Sequence, residues 1–426
     1  MRGGVDAAAD PNGGPRPRRW WDGPLDVERL AWDAVVAARD AVRELAAARG
    51  QDGVAGTTPE LVAASFAALD HLRVEGAAVP AWAPMSGFLR AADGWVRTHA
   101  NYPHHAAALT RALGAVDRPG LEAAVARRTA AEVESAVHAA GGIAVAVRSA
   151  AAWAAHPHGT ATRDEPWASV APGGPRRRLR GGRLPLEGVR VLDLTRVIAG
   201  PAAAQLAACL GADVLRVDPP GRPEILAQHL SNGMGRHSAV ADLTERAAEV
   251  EDLLAGADVV LLGYRPGSLD RFGLDPEALV RRHPHLVVGS VSAWGEAGPW
   301  AQRAGFDSIV QAACGIADAC GRDGEPGALP VQALDHATGH RLFAETVRLL
   351  AQGRAGVVRI SLLGAARTLL GLSPPPPGPA AELPVPRVEV GSEAGRLDAV
   401  PPAIALDGEV LARDVGAYGA AALRWL

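Results

Sequence analysis

The segment LEGVRVLDLTRVIAGPAAAQLAACLGADVLRVDPP, residues 186–220, decides the fold of this chain. The apolar run at 188–194 predicts a buried strand, and the run at 213–217 predicts a second one. Between them lies a stretch of small residues, in which a helix is predicted to begin near Pro201, since proline favours the first helical turn. Two buried strands separated by a helix-length connection are typical of a parallel βαβ unit.

The same alternation continues towards the C-terminus. Further strands are predicted at 238–243, 258–263, 286–292 and 357–363, with helix-length connections between them. We therefore expect the α/β class, with an open, doubly wound, Rossmann-like and mostly parallel sheet.

The residues before this segment have a different pattern, which predicts a second, smaller α+β domain. A helical stripe covers 26–49, turn residues at 93–94 indicate a hairpin, and Thr129 with Glu132 forms a capping-box pattern. The expected division is a flexible lead at 1–22, a small-domain-like region at 23–158, a linker at 159–187, a Rossmann-like domain at 188–372 and a Pro-rich C-terminal segment at 373–426.

Composition limits the possible partners and compartments. The net charge of -4 gives no electrostatic support for nucleic-acid binding. No apolar run reaches the roughly 18 residues of a membrane span, and the first residues lack the apolar centre of a signal peptide. The 3 cysteines have no zinc-type spacing and suit a reducing compartment. We expect a soluble, cytoplasmic protein without a metal site.

The chain contains no lysine, so its 43 basic residues are all arginine. This excludes a Walker-type phosphate loop, which needs a lysine. It also excludes pyridoxal enzymes and imine-forming aldolases, which need a side-chain amine.

Three loops after predicted strands are candidate ligand contacts, because ligands bind beyond the carboxyl ends of strands in such sheets. The loop at 195–201 offers backbone amides at a helix start, but it lacks the G-x-G-x-x-G fingerprint of nicotinamide sites. Asp218, before Pro219, suits either a ribose contact or an ordinary turn. Tyr264 could stack on a base. Arg271 could meet a phosphate or form a surface ion pair with Asp270 or Glu277.

A fourth candidate lies in LPVQALDHATG, residues 329–339. The sequence predicts a short strand followed by a helix, with Asp335 at the joint. An aspartate there could cap the helix or act as a nucleophile, and both readings stay open from this stretch alone.

Taken together, the blocks at 186–220, 235–243, 263–300 and 304–321 resemble those of the class III (CaiB/BaiF) CoA-transferases, in the same order and with similar spacing. The resemblance implies that the Rossmann-like domain binds coenzyme A and carries the catalysis. It places acyl-CoA and a carboxylic acid in the site as substrates, and it implies a homodimer. The residues it assigns to CoA are Val197, Ile198, Ala199, Asp218, Pro219, Tyr264 and Arg271.

The resemblance also makes Asp335 the catalytic nucleophile of a formyl-CoA transferase-like enzyme. Its carboxylate would attack an acyl-CoA thioester to give a mixed anhydride, and CoA thiolate would then form an aspartyl-CoA thioester. A catalytically silent CoA-binding protein and a 2-methylacyl-CoA racemase are the alternatives.

Several residues depart from the family pattern. Phe306 stands where the racemases have their catalytic histidine, which disfavours racemisation, although His336, His340 or a histidine of the N-terminal part could substitute. Gly263 replaces a more usual asparagine. In the family the smaller domain follows the nucleotide-binding part, whereas here the small-domain-like segment precedes it, as in a rearranged chain.

Overall fold

The computed structural model describes residues 19–176, 178–179 and 181–426. Residues 1–18 of the predicted flexible lead lie outside these ranges. Within the described ranges, no helix is long and apolar enough to cross a membrane.

The N-terminal part mixes helices with short strands. In chain order its elements are α1 (Val27–Arg49), β1 (Ala55–Gly56), α2 (Pro59–Phe66), α3 (Ala68–His71), β2 (Arg73–Val74), β3 (Ala77–Ala78), β4 (Gly87–Arg90), β5 (Trp95–Thr98), α4 (Pro103–Leu113), α5 (Arg118–Ala126), α6 (Ala130–Ala139), β6 (Ala144–Ala146), α7 (Ala150–Ala155), α8 (Pro157–Ala161) and β7 (Ala168–Pro175). The predicted capping box is present: the Glu132 amide donates to the Thr129 hydroxyl, and the Glu132 carboxylate accepts from the Thr129 amide.

From residue 190 onward, strands and helices alternate as predicted. The elements are β8 (Arg190–Leu194), α9 (Ala199–Cys209), β9 (Asp213–Asp218), α10 (Leu226–Ser231), β10 (His237–Val240), α11 (Ala247–Gly256), β11 (Val259–Leu262), α12 (Pro276–Arg282), β12 (Val287–Ser292), α13 (Asp307–Cys314), α14 (Ile316–Ala319), α15 (Ala333–Ala351), β13 (Arg354–Ser361) and α16 (Leu362–Gly371), followed by β14 (Val388–Ser392), β15 (Gly395–Ala399), β16 (Ala405–Leu406) and β17 (Glu409–Val410). A 3₁₀ turn covers Asp270–Phe272.

Among the described residues, the main sheet has 7 strands in the order β10-β9-β8-β11-β12-β13-β7. All of its pairings are parallel except that of β7 with β13. The chain runs outward from β8 to β10 and then crosses back to β11, so the strand order reverses between β8 and β11. The doubly wound α/β class is therefore confirmed, and its switch point lies where ligands bind in such sheets.

The edge strand β7 falls inside the segment that the sequence predicts to be a linker. Most of its side chains are exposed, so no apolar alternation marks it. Its prolines are tolerated because one side of an edge strand needs no hydrogen bonds. The strand closes the open edge of β13, which would otherwise present unpaired backbone groups.

A smaller α+β unit precedes the main sheet. Strands β4, β5 and β6 form an antiparallel sheet, and α4, α5 and α6 pack on it around a separate apolar core that includes Leu89, Val96, Leu109 and Val133. The hairpin turn predicted at 93–94 joins β4 to β5.

Other N-terminal elements pack on the main domain. Helix α1 lies along α15 and buries Val35, Val42 and Leu45 in the large core, and each such side chain contributes about 1.5–3 kcal/mol. Strand β2 pairs with β15 of the tail in an antiparallel sheet, β14-β15-β2-β3. The regions predicted at 23–158 and 373–426 are thus joined to each other and to the central domain by shared packing.

Candidate active site

The switch point brings the ends of β8 and β11 into close approach. The Gly263 amide donates to the Leu194 carbonyl at 3.1 Å. A Cβ added at Gly263 would lie 2.8 Å from Cβ of Thr195. An asparagine would therefore not fit here without a shift, which explains the glycine at this position.

Asp335 lies in the first turn of α15 and is only 6% exposed. It is not the N-cap residue, because Gln332 holds that position. The strand predicted just before it is also absent: residues 329–332 pair with no strand of the described chain. Instead the Leu329 amide donates to the Gln311 side-chain oxygen at 2.9 Å, which anchors this stretch to α13.

A second buried carboxyl group, that of Asp307, lies against Asp335. The Asp335 amide donates to Oδ2 of Asp307 at 3.0 Å, and the Gln311 amide nitrogen donates to Oδ1 of Asp307. Burial raises the pKa of Asp335 well above its usual value, and the neighbouring Asp307 charge raises it further. Burial likewise raises the pKa of Asp307, to about 6, against the lowering effect of its hydrogen bonds. Two adjacent buried carboxyl groups favour holding a proton.

Gly339 brings α15 into direct contact with the start of α9. A Cβ at Gly339 would lie 2.3 Å from the carbonyl oxygen of Ala199. Residues four apart share one face of a helix, so Asp335 lies one turn from this contact on the same side of α15. The fold thereby joins the predicted nucleophile to the predicted CoA loop.

The predicted CoA loop at 197–199 has a constrained backbone. Val197 has a φ of 68°, which is unusual for a β-branched residue, and its amide donates to Oε2 of Glu224 at 2.9 Å. Ile198 and Ala199 are buried at the start of α9. The Val197 amide is therefore already hydrogen-bonded to Glu224. Ile198 and Ala199 lie at the N-terminus of α9.

Strand β9 ends at Asp218, one residue later than predicted, and Pro219 follows it. The Asp218 carboxylate, however, binds a protein side chain. Arg216 donates to its two oxygens at 2.6 and 2.9 Å, and Asp218 is 1% exposed. Pro219, in contrast, is partly exposed at this end of the sheet. Asp218 thus holds a buried arginine in place.

Glu224 is the centre of a buried network that sequence reasoning missed. It accepts hydrogen bonds from Arg216 at 2.8 Å and from the Tyr102 hydroxyl, and its amide donates to the Tyr418 hydroxyl at 3.0 Å. Burial opposes ionisation of Glu224, but the Arg216 and Arg196 charges lower its pKa to about 2. The signal was present in the sequence, since an arginine inside the apolar run DVLRV requires a buried acid.

Tyr264 lies near the same network. Burial raises the pKa of its hydroxyl to about 12. Its neighbour Arg196 donates to the carbonyls of Arg222 at 2.6 Å and Pro223 at 2.7 Å, and its guanidinium lies 4.9 Å from the Tyr102 ring centre. The N-terminal unit therefore supplies Tyr102 to the end of the main sheet.

Arg271 lies apart from these residues. It is exposed and its guanidinium lies 4.5 Å from the Phe272 ring centre. Within the described chain, Arg271 forms an ion pair with neither Asp270 nor Glu277. Glu277 pairs with Arg359 instead. Arg271 is free to meet a phosphate that approaches from solvent.

The histidines beside Asp335 turn away from the carboxyl pair. His336 and His340 pack against Phe66, with ring centres at 5.2 and 5.6 Å. A different histidine, His99 of the N-terminal unit, stacks on Phe306 with ring centres 3.8 Å apart.

Comparison with known proteins finds similarity over the segment that carries this site. Residues 186–387 match the family model described as CoA-transferase family III. The chain is 37% identical over 193 residues to "Probable fatty acyl-CoA transferase Rv3272" of Mycobacterium tuberculosis, covering 41% of this chain and 49% of that protein. It is 37% identical over 176 residues to "Succinate--glutarate CoA-transferase" of Agrobacterium fabrum, covering 36% of this chain and 44% of that protein.

A crystal structure of a CAIB/BAIF family protein from Brucella suis aligns with 29% identity and a TM-score of 0.41, over 50% of this chain and 65% of that one. The chain spans about half the length of the curated relatives it matches. The matched segment contains the switch point, the carboxyl pair and all of the predicted site residues. Residues 186–387 of the chain thus resemble CoA-transferase family III.

Proposed function

We propose that this protein is a class III, formyl-CoA transferase-like enzyme that moves CoA from an acyl-CoA donor to a carboxylic acid acceptor. The observation that carries the proposal is the position of Asp335. It lies buried in the first turn of α15, against Asp307 and one turn from the contact with Ala199. The relatives named as CoA-transferases support the same reaction class.

The proposed reaction uses Asp335 as a covalent nucleophile. Its carboxylate attacks the thioester carbonyl, which forms a mixed anhydride and releases CoA thiolate. The thiolate attacks the Asp335 carbonyl carbon, which forms an aspartyl-CoA thioester and releases the donor acid. The acceptor carboxylate displaces CoA to form a second anhydride, and the thiolate then attacks the acceptor's carbonyl. This releases the new acyl-CoA and restores the Asp335 carboxylate.

The surroundings of Asp335 suit this chemistry. A carboxylate is a weak nucleophile, and burial both excludes water and strengthens electrostatic interactions. Oxyanions formed along the reaction need fixed donors. We assign that role to the backbone amides at the start of α9, where the helix dipole is positive.

CoA itself is proposed to lie along the carboxyl ends of β8, β9 and β11. Ile198 and Ala199 would contact its thioester end, Pro219 and the Tyr264 ring would contact the nucleotide, and Arg271 would meet a phosphate. Val197 and Asp218 would act indirectly, since each already holds a buried partner. We propose no metal, nicotinamide or pyridoxal cofactor.

We further propose that the protein acts as a homodimer in the cytoplasm, as the family resemblance implies. Its three cysteines are free, which suits a reducing compartment. Analytical ultracentrifugation of the full chain tests the dimer, and a single monomeric species at micromolar concentration would contradict it.

Covalent trapping tests the reaction directly. The full chain is incubated with a panel of acyl-CoA donors and treated with hydroxylamine or borohydride, and the modified peptide is then mapped. We expect an adduct on Asp335 and none in Asp335→Asn. Asp318→Asn, at an exposed helical aspartate, is the matched control and should retain the adduct.

A catalytically silent CoA-binding protein is the second candidate, and the burial of Asp335 is the observation that favours it. It predicts that Asp335→Asn binds CoA as well as the parent and that neither protein forms an adduct with any donor. That result would reject the transferase proposal.

A further inference from the structure

Strand β5 and the residue that follows it present two polar side chains to the main domain. Strand residues alternate, so Val96 points into the core of the small unit, whereas Arg97 and, directly after the strand, His99 lie on the opposite face. That face packs against α13, which begins at Asp307. The polar face of β5 therefore borders the carboxyl pair.

Arg97 is a buried cation without a direct carboxylate contact in the described chain. It is 8% exposed, and its Nε has no hydrogen-bond partner there. The guanidinium lies 4.8 Å from the ring centre of Trp82 and 4.7 Å from that of Phe88. The Asp307 charge acts on Arg97 from beyond ion-pair distance and raises its pKa, against the larger lowering effect of burial. Since buried arginines are normally paired directly, the guanidinium can still take an anionic hydrogen-bond partner.

Two neighbouring histidines also have an unused polar atom. Nδ1 of His99 and Nδ1 of His105 are buried without a hydrogen-bond partner in the described chain, as is Nε of Arg97. Burial lowers the pKa of each histidine to about 3. Both rings are therefore neutral, and each can donate one hydrogen bond to an anion.

This cluster lies next to the proposed nucleophile. The His99 ring stacks on Phe306, Phe306 precedes Asp307, and Asp307 accepts the Asp335 amide hydrogen bond. The Arg97 charge also lowers the pKa of Asp307, although burial is the larger effect and raises it. A molecule that reacts at Asp335 could thus extend to Arg97.

We propose that Arg97 and His99 bind a carboxylate at the far end of the transferred or accepting acid, so that the enzyme selects dicarboxylic acids. This inference rests on the proposed transferase function and names its substrate class. The reacting carboxyl group would lie at Asp335, while the second carboxylate would accept hydrogen bonds from the Arg97 guanidinium. The Trp82 and Phe88 rings would cover the connecting methylene groups. A monocarboxylic acid would leave the guanidinium buried and unpaired.

Calorimetric titration of the full chain with glutarate and with valerate tests the binding site, since these acids have equal length and differ in the second carboxylate. We expect glutarate to bind at least tenfold more tightly than valerate. In Arg97→Met this preference should disappear. In Arg97→Lys it should be reduced, because an ammonium group cannot form the paired hydrogen bonds of a guanidinium with a carboxylate. Arg90→Met, at an exposed arginine over the Trp95 ring in the same hairpin, should keep it.

Steady-state transfer to the same two acids separates this inference from the proposed function. If the parent protein transfers CoA equally well to glutarate and valerate, the dicarboxylate site is refuted while the transferase function stands. If no acid is a substrate and Asp335 is never modified, the transferase function fails, and the calorimetric preference alone decides whether the anion site exists. If Arg97→Met folds and still binds glutarate more tightly than valerate, the proposal is overturned. If this variant does not fold, the comparison of glutarate with valerate in the parent protein still tests the proposal.

Discussion

The backbone amide of Asp335 donates a 3.0 Å hydrogen bond to the carboxylate of Asp307, which places two buried carboxyl groups side by side at the start of α15. Asp307 anchors the helix, and its charge adds to the effect of burial, which is the larger cause of the raised pKa of Asp335. The residue that positions the proposed nucleophile therefore also helps to keep it protonated.

This pair predicts the pH dependence of transfer. Asp335 reacts as a carboxylate, and its pKa is raised, so activity should increase as the pH rises and the pair loses its proton. We expect kcat/KM to fall about tenfold per pH unit below the ionisation of the pair, and to level off above it. Initial rates between pH 4.5 and 8.5 measure this profile. A constant rate across that range would contradict the prediction.

The same pair predicts how stability depends on pH. A carboxyl group whose pKa is raised by folding stabilises the protein at low pH, and this contribution is lost as the pH rises from the unfolded value through the folded one. For Asp335 this loss starts near its unfolded pKa of 3.8 and continues up to its raised folded pKa. Asp335→Asn removes this buried ionisable group, so its unfolding free energy relative to the parent should rise by about 1–3 kcal/mol as the pH increases through that range.

Urea denaturation at several pH values checks this prediction. The pH dependence is the diagnostic feature, because a packing defect from the substitution would shift the stability equally at every pH. Asp318→Asn should show no such change relative to the parent, and a pH-independent difference for Asp335→Asn would count against the coupling.

The close packing at Gly339 predicts that the contact between α15 and α9 is sensitive to substitution of this glycine. In Gly339→Ala, the new methyl group would meet the Ala199 carbonyl at 2.3 Å and push the two helices apart. We expect a loss of about 1–3 kcal/mol of stability and at least a tenfold loss of kcat, because Asp335 would move relative to the CoA loop. Gly371→Ala, at a helical glycine with open space around it, should be neutral. Unchanged kcat in Gly339→Ala would argue against this contact.

The buried network around Glu224 predicts a large loss of unfolding free energy when the Glu224 charge is removed. Glu224→Gln leaves Arg216 with only part of its compensation, and we expect a loss of about 3–5 kcal/mol. The exposed pair of Glu122 with Arg118 provides a control, since Glu122→Gln should cost less than about 1 kcal/mol. Chemical denaturation at pH 7 measures both variants. Equal costs would show that the network contributes no more than a surface ion pair.

Much of the main domain could be predicted from the sequence, because buried parallel strands are continuous apolar runs and the helices between them have recognisable starts. The edge strand β7 could not be predicted, since its side chains are exposed and its partner β13 is almost 200 positions later in the chain. The sequence pattern places Asp335 at a joint between a strand and a helix, but the residue lies inside the first turn of α15, because Gln311 rather than a strand anchors the preceding residues.

By itself, the sequence determined the α/β class, the order of the strands along the chain, and Asp335 as the residue to test. The class and the strand order follow from local periodicity, whereas Asp335 follows from the resemblance to the class III CoA-transferases. Only the tertiary structure decided that Asp307 lies against Asp335, that Asp218 holds Arg216, and that Arg97 and Tyr102 of the N-terminal unit reach the main domain. Such contacts join residues far apart in the chain, and the burial that sets their charge states exists only once the chain has folded.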